Sequence, residues 1–162
     1  MTTRVLIPSG ALGLNYDQVA LDRGIAMKPD IIAIDGGSTD SGPAYLGRGV
    51  SKYSRASTKI EWRGLMEARA KTGVPLVIGT SGTCGADNAV DWMLDITREI
   101  ATDLRQSLKI AVLRCSQDTA VMSTAFSDGR ITPLPAAPNV TADDFATCTN
   151  IVALAGAEQI AA

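Results

Sequence analysis

The sequence has no histidine in its 162 residues, and that absence removes a large block of chemistry at once. Within this chain there is no His general base, no Ser-His or Cys-His nucleophile pair, and no His-ligated metal centre. Aromatic residues are scarce at 4%, against a hydrophobic fraction of 46%. The core must therefore be built from Ala, Ile, Leu and Val, which suits helices close-packed on a parallel sheet. The three cysteines, Cys84, Cys115 and Cys148, are odd in number and lack the C-x₂-C spacing of zinc sites or redox pairs, so reduced thiols are expected. No apolar run approaches the roughly 20 residues that span a bilayer, and Met1-Thr-Thr-Arg-Val lacks the order of a signal peptide; the expected location is the cytoplasm, with no membrane partner. With 17 acidic and 15 basic residues the formal charge is −2, so nucleic acid is not an expected partner.

What is present is an alternation of short β-branched runs with helical patterns, the mark of a parallel α/β sheet. Strands are expected at Arg4 to Ile7, Ile31 to Ile34, Pro75 to Ile78 and Lys109 to Leu113. Helices are expected near Tyr16 to Gly24, from Lys59 to Thr72 with Gly73 as its C-terminal cap, and from a cap at Asp87 or Asn88 to about Leu104. In the last of these Val90, Met93, Leu94, Thr97, Ile100, Ala101 and Leu104 form a stripe at helical period. A weaker helix spans about Asp118 to Phe126. The stretch from Ser41 to about Ser57 reads as a long irregular loop. The fold class expected is a three-layer α/β domain with a mainly parallel sheet and Gly-rich loops at the carboxyl ends of its strands. Its core covers residues 1–132, and 133–162 forms a proline-rich connector and apolar segment that continues into a further domain or partner chain. An α+β arrangement is the alternative, with the part after Pro133 packed separately.

Eight of the fifteen glycines (Gly10, Gly13, Gly36, Gly37, Gly42, Gly79, Gly82 and Gly85) follow the first three strands directly. In open parallel sheets ligands bind outside the carboxyl ends of the strands, where glycine lets backbone N–H groups approach an anion. Glycine also simply makes tight turns, but three such loops in succession favour a ligand. Ser9 and Gly10, then Gly36, Gly37, Ser38 and Thr39, then Gly79, Thr80, Ser81, Gly82, Thr83 and Gly85 are the binding candidates. No Lys-Ser or Lys-Thr stands at P-loop spacing and Gly10-x-x-Gly13 is not a dinucleotide fingerprint, so ATP and NAD have no support, and zinc has none either. Asp35 and Asp40 could move a proton or hold Mg²⁺, or could cap the loop as an Asx-turn. Cys84, at a helix start, could act as a thiolate or be an ordinary buried thiol. Seven cations against two anions lie between Arg48 and Lys71. Most would make a solvated helix face, while Lys52, Tyr53 and Arg55 could reach over the crevice.

Ile34-Asp-Gly-Gly-Ser-Thr-Asp-Ser-Gly-Pro43, Tyr45-Leu-Gly47, Ser54-Arg55 and the Gly-rich turn after Ile78 resemble, in order and spacing, the N-terminal part of acyclic terpene utilisation proteins. The resemblance extends through Asp128-Gly-Arg-Ile131 to Ile151-Val-Ala-Leu-Ala-Gly156. It implies an enzyme-like protein of branched-acid or terpenoid-acid catabolism, often acting on CoA esters, and a family whose members continue with further βα units. Three readings of function follow. One is a lyase, hydratase or isomerase in which Asp35 or Asp40 moves a proton while the Gly79 to Gly85 amides hold a carboxylate or thioester oxygen. A second is a non-catalytic anion-binding module. The third is a structural half of a larger assembly, homo-oligomeric or completed by a complementary chain, because Ile151, Val152, Leu154 and Ile160 lie in a segment apolar nearly all round.

Overall fold

A computed structural model describes residues 2–37, 41 and 43–161. Ser38, Thr39, Asp40 and Gly42 of the candidate loop lie outside the described residues. The fold is mixed α/β around a parallel three-stranded sheet of order β1-β2-β3, made by β1 (Val5–Leu6), β2 (Ile31–Asp35) and β3 (Leu76–Gly79). The register pairs Val5 with Ile31, Ile32 with Leu76 and Asp35 with Gly79, so β2 and β3 end level with each other.

Local chemistry explains the helix limits. In α1 (Gln18–Ala26) the Asp17 carboxylate accepts from the Ala20 amide at 2.6 Å, and in α3 (Arg55–Thr72) the Ser54 hydroxyl accepts from the Ser57 amide at 3.1 Å. Gly73 closes α3 at φ 73°, a left-handed conformation that suits glycine. The loop expected from Ser41 to Ser57 instead holds α2 (Pro43–Arg48) and the start of α3. Next, α4 (Asp87–Asp103) begins after Ala86, and no side chain caps it. Asp87, expected as a cap, is a first-turn residue whose Oδ1 accepts from the Ser116 amide at 3.2 Å. The fully buried residues of α4 are Ala89, Met93, Ile96 and Ile100; of the expected stripe Met93 and Ile100 are among them, and Ala101 and Leu104 pack half-buried against the core. Leu12, Leu21, Ile34, Trp62, Leu65 and Met66 complete the core with Met93, Ile96 and Ile100.

The fourth strand is a correction. Lys109 to Leu113 pairs with no strand, and Ile110, Val112 and Leu113 are 44%, 42% and 43% exposed. The segment returns from the end of α4 to its start, where the Ser116 hydroxyl accepts from the Asp87 amide at 2.9 Å. Beyond it, α5 (Thr119–Ser127) packs on α6 (Ala142–Thr147), with the Phe126 and Phe145 rings 5.2 Å apart. Phe145 lies outside the main core cluster. A capping box between Thr141 and Asp144 starts α6, as the Thr141-Ala-Asp-Asp sequence suggests. Ile151 to Gly156 is not helical: Val152 bridges Ser116 antiparallel, and helix forms only in α7 (Ala157–Ala161).

Candidate ligand site at the ends of the strands

The three segments that leave β1, β2 and β3 are held together by main-chain hydrogen bonds. The Leu12 amide donates to Asp35 O at 2.8 Å, the Gly36 amide to Gly79 O at 2.6 Å, and the Thr83 amide to Gly36 O at 3.4 Å. Gly37 is required here, because a Cβ on it would come within 2.0 Å of Thr83 Cα. Side chains at this position would push the second and third loops apart.

The loop after β3 is left-handed at four residues: Thr80 (φ 48°), Gly82 (63°), Thr83 (86°) and Gly85 (69°). For a β-branched threonine such a conformation costs on the order of 1–3 kcal/mol. Thr83 is fully buried, and its hydroxyl oxygen accepts from the Lys52 amide at 2.8 Å and lies 3.3 Å from Ser51 Oγ. These bonds offset its strain and fasten a strap, Gly49 to Tyr53, across the loop. At one end of the strap Asn88 Nδ2 donates to Gly49 O at 2.9 Å. At the other end the Tyr53 ring lies against Gly13, so close that a Cβ there would fall 2.4 Å from Tyr53 Cγ. The Lys52 ammonium donates to Ser41 Oγ at 2.9 Å and sits 5.7 Å from the Tyr53 ring centroid.

The first loop is anchored from α3. The buried Glu61 carboxylate accepts from the amides of Gly13 at 2.7 Å and Asn15 at 3.2 Å. Tyr16 donates its phenol proton to Glu61 O at 2.8 Å. Burial, with the charges of Glu61 and Glu67, pushes the Tyr16 phenol up to about 12, so it stays a neutral donor.

Lys52, Tyr53, Gly36, Gly37, Gly82 and Thr83 of the expected binding set therefore meet. Asp35 ends β2 exposed, and its Oδ1 accepts from the Gly37 amide at 3.0 Å, which is the Asx-turn geometry. Ser9 donates to Ala11 O at 3.1 Å, while Gly10 and Gly79 have open space where a side chain would sit. Ser81, Cys84 and Gly85 are half-buried in the third loop, and Cys84 is a free thiol. Arg55 is turned elsewhere: its guanidinium donates to the Glu99 carboxylate on α4 at 3.0 and 2.5 Å. Among the described residues no group of three or more acidic or cysteine side chains could hold a metal ion.

Ser51, Glu61, Asn88 and Trp92 are the residues that sequence reasoning missed. Ser51 carries no distinguishing pattern, Asn88 reads only as a possible helix cap, and Glu61 and Trp92 read as ordinary helix residues. Between the strap and the first turns of α4 lies a cavity of about 270 Å³, lined by Val50, Ser51, Gly82, Asn88, Ala89 and Trp92 among others. Among the described residues no helix is long and apolar enough to cross a membrane. Comparison of the chain with protein-family models, with curated proteins and with solved structures finds no match.

Proposed function

We propose that the ends of the strands bind a small carboxylate or acyl-CoA-type anion, and that the chain belongs to an enzyme of small-acid or terpenoid-acid catabolism of lyase, hydratase or isomerase type. The observation that carries this reading is the strap: Thr83 holds Lys52 and Tyr53 beside three loops whose main chains converge. The amides of Leu12, Gly36, Gly37 and Thr83 are spent on holding the loops together, so the charge for a carboxylate or thioester oxygen comes from the Lys52 ammonium. In this reading Gly36, Gly37 and the Gly79 to Gly85 turn surround the anion, and Asp35, whose second oxygen has no partner among the described residues, moves the proton. Asp40 and Cys84 are further candidates for that step, and Mg²⁺ bound by the two aspartates is an alternative for the charge. The layered α/β arrangement with glycine loops at the functional edge, and the likeness of Ile34 to Pro43 to acyclic terpene utilisation proteins, fit the same reading.

Calorimetric titration with acetate, butyrate and coenzyme A tests it. Binding that falls at least tenfold in Lys52→Ala, with an unchanged melting temperature, is the expected result. Equal affinity of the variant would remove Lys52, and with it this site. A second reading has its own observation: Leu134, Leu154 and Ile160 are 79%, 87% and 63% exposed. Apolar surface of that kind favours a homo-oligomer or a complex with a complementary chain, which sedimentation at tens of micromolar would detect.

A further inference from the structure

The cavity behind the strap adjoins the third loop, sharing Gly82 and the strap residues Gly49, Val50 and Ser51 with the candidate site. Its existence depends on two left-handed glycines. Gly49 (φ 62°) brings the strap so close to α4 that a Cβ would meet Asn88 Nδ2 at 2.6 Å. Gly82 (φ 63°) brings the third loop so close that a Cβ would meet that of Ala89 at 2.7 Å. The glycines draw the backbones together at these two points, and the half-buried Trp92 and the 47% exposed Val50 flank the space that remains. Val50, Ala89 and Trp92 make an apolar wall, and Ser51 and Asn88 supply the polar side. Ser51 Oγ and Asn88 Nδ2 are already engaged with Thr83 and Gly49, so the wall that faces a guest is chiefly apolar. The volume equals roughly nine waters, or an aliphatic chain of roughly six to eight carbons.

We propose that this cavity receives the aliphatic chain of a short-chain acid, with its carboxylate directed along the strap toward Lys52. The proposal rests on the carboxylate reading of the preceding section for its charged end, and on the cavity alone for its apolar end. Burying a methylene is worth about 0.8 kcal/mol, so each added carbon should tighten binding about fourfold until the cavity is full.

The test is a titration with the straight-chain carboxylates from acetate to decanoate and with primary alcohols of the same lengths. It is followed by the fluorescence of Trp92, with Trp92→Phe identifying its signal against that of the buried Trp62. Support is a fourfold step per carbon that levels off near six to eight carbons, a change in Trp92 emission, and loss of the chain-length dependence in Val50→Phe. Ala89→Leu fills the same space from the buried side, and Val50→Phe from an exposed position keeps the test valid if Ala89→Leu fails to fold. Acids that bind through Lys52 with an affinity independent of length would overturn the cavity and leave the carboxylate reading standing. Alcohols that reproduce the series, with Lys52→Ala neutral for the acids, would uphold the cavity and overturn the carboxylate reading. No binding by either series would overturn both.

Discussion

Residues before Leu108 and residues after it contain similar aliphatic side chains but use them in opposite ways. Every member of the core cluster lies at or before Ile100, and among the described residues after Leu108 only Ala125 is a buried hydrophobic. The difference is not hydrophobicity, since Ile110-Ala-Val-Leu113 is as apolar as Leu76-Val-Ile78. It is pairing: Leu76 to Ile78 has β2 beside it, and Ile110 to Leu113 has no ladder. Apolar side chains become a core only when their backbone is satisfied and a second layer covers them.

Truncations should separate the two regions most widely. Ile96→Ala removes a fully buried side chain between α3 and α4 and should cost about 2–5 kcal/mol in denaturant unfolding. Leu154→Ala and Ile160→Ala should stay within about 0.5 kcal/mol. Equal costs would dissolve the contrast. Gly37→Ala, a single methyl aimed at the Thr83 backbone, should cost about 1–3 kcal/mol and weaken carboxylate binding with it. Its melting temperature and titration measure both. For the later region, a double-mutant cycle on Phe126 and Phe145 should give a coupling of about 0.5–1.5 kcal/mol, read from amide exchange in α5. A coupling that shifts exchange equally in β2 would show that the two regions unfold as one.

The smallest effect concerns the exposed surface between α3 and α4. Hydrogen bonds from Arg55, and then Lys59, hold the Glu99 carboxyl down to about 2 from an ordinary 4.5. A depressed folded-state value means the contribution is present above about 4.5 and is lost as the pH falls from there toward 2. The melting-temperature difference between the natural chain and Glu99→Gln should therefore shrink over that range. It should also shrink with added salt, because these are exposed ion pairs. A difference constant from pH 6 to pH 2 would contradict the assignment.

Many element limits could be read from local chemistry in both regions. Gly73 marks the end of α3, Thr141 marks the start of α6, and β2 and β3 fall within one residue of the expected strands. What failed depends on partners far along the chain. Lys109 to Leu113 has strand composition, but β-propensity expresses itself only against a neighbour. The stripe expected on α4 does face the core through Met93, Ile100, Ala101 and Leu104, but the contact of Gly82 with Ala89 is one no periodicity reveals. In the candidate site, Lys52 and Tyr53 were visible as residues worth attention. Their anchor, the Thr83 hydroxyl, was visible only as one of three hydroxyls in a loop, since the 31-residue gap to Lys52 leaves no local sign. Arg55 fails for the same reason in reverse, as its partner Glu99 is 44 positions away.

The anchoring of the first loop by Glu61 has a consequence for how the chain is made. Gly13 leaves the ribosome 48 residues before the carboxylate that holds its amide. At roughly 5–20 residues per second that is a wait of about 2–10 s, and the strap waits a shorter time, about 2–6 s, for Thr83, 31 residues on. The first glycine loop thus stays unanchored until residue 61 has been made, and until then its amides are open to whatever first meets them in the cell.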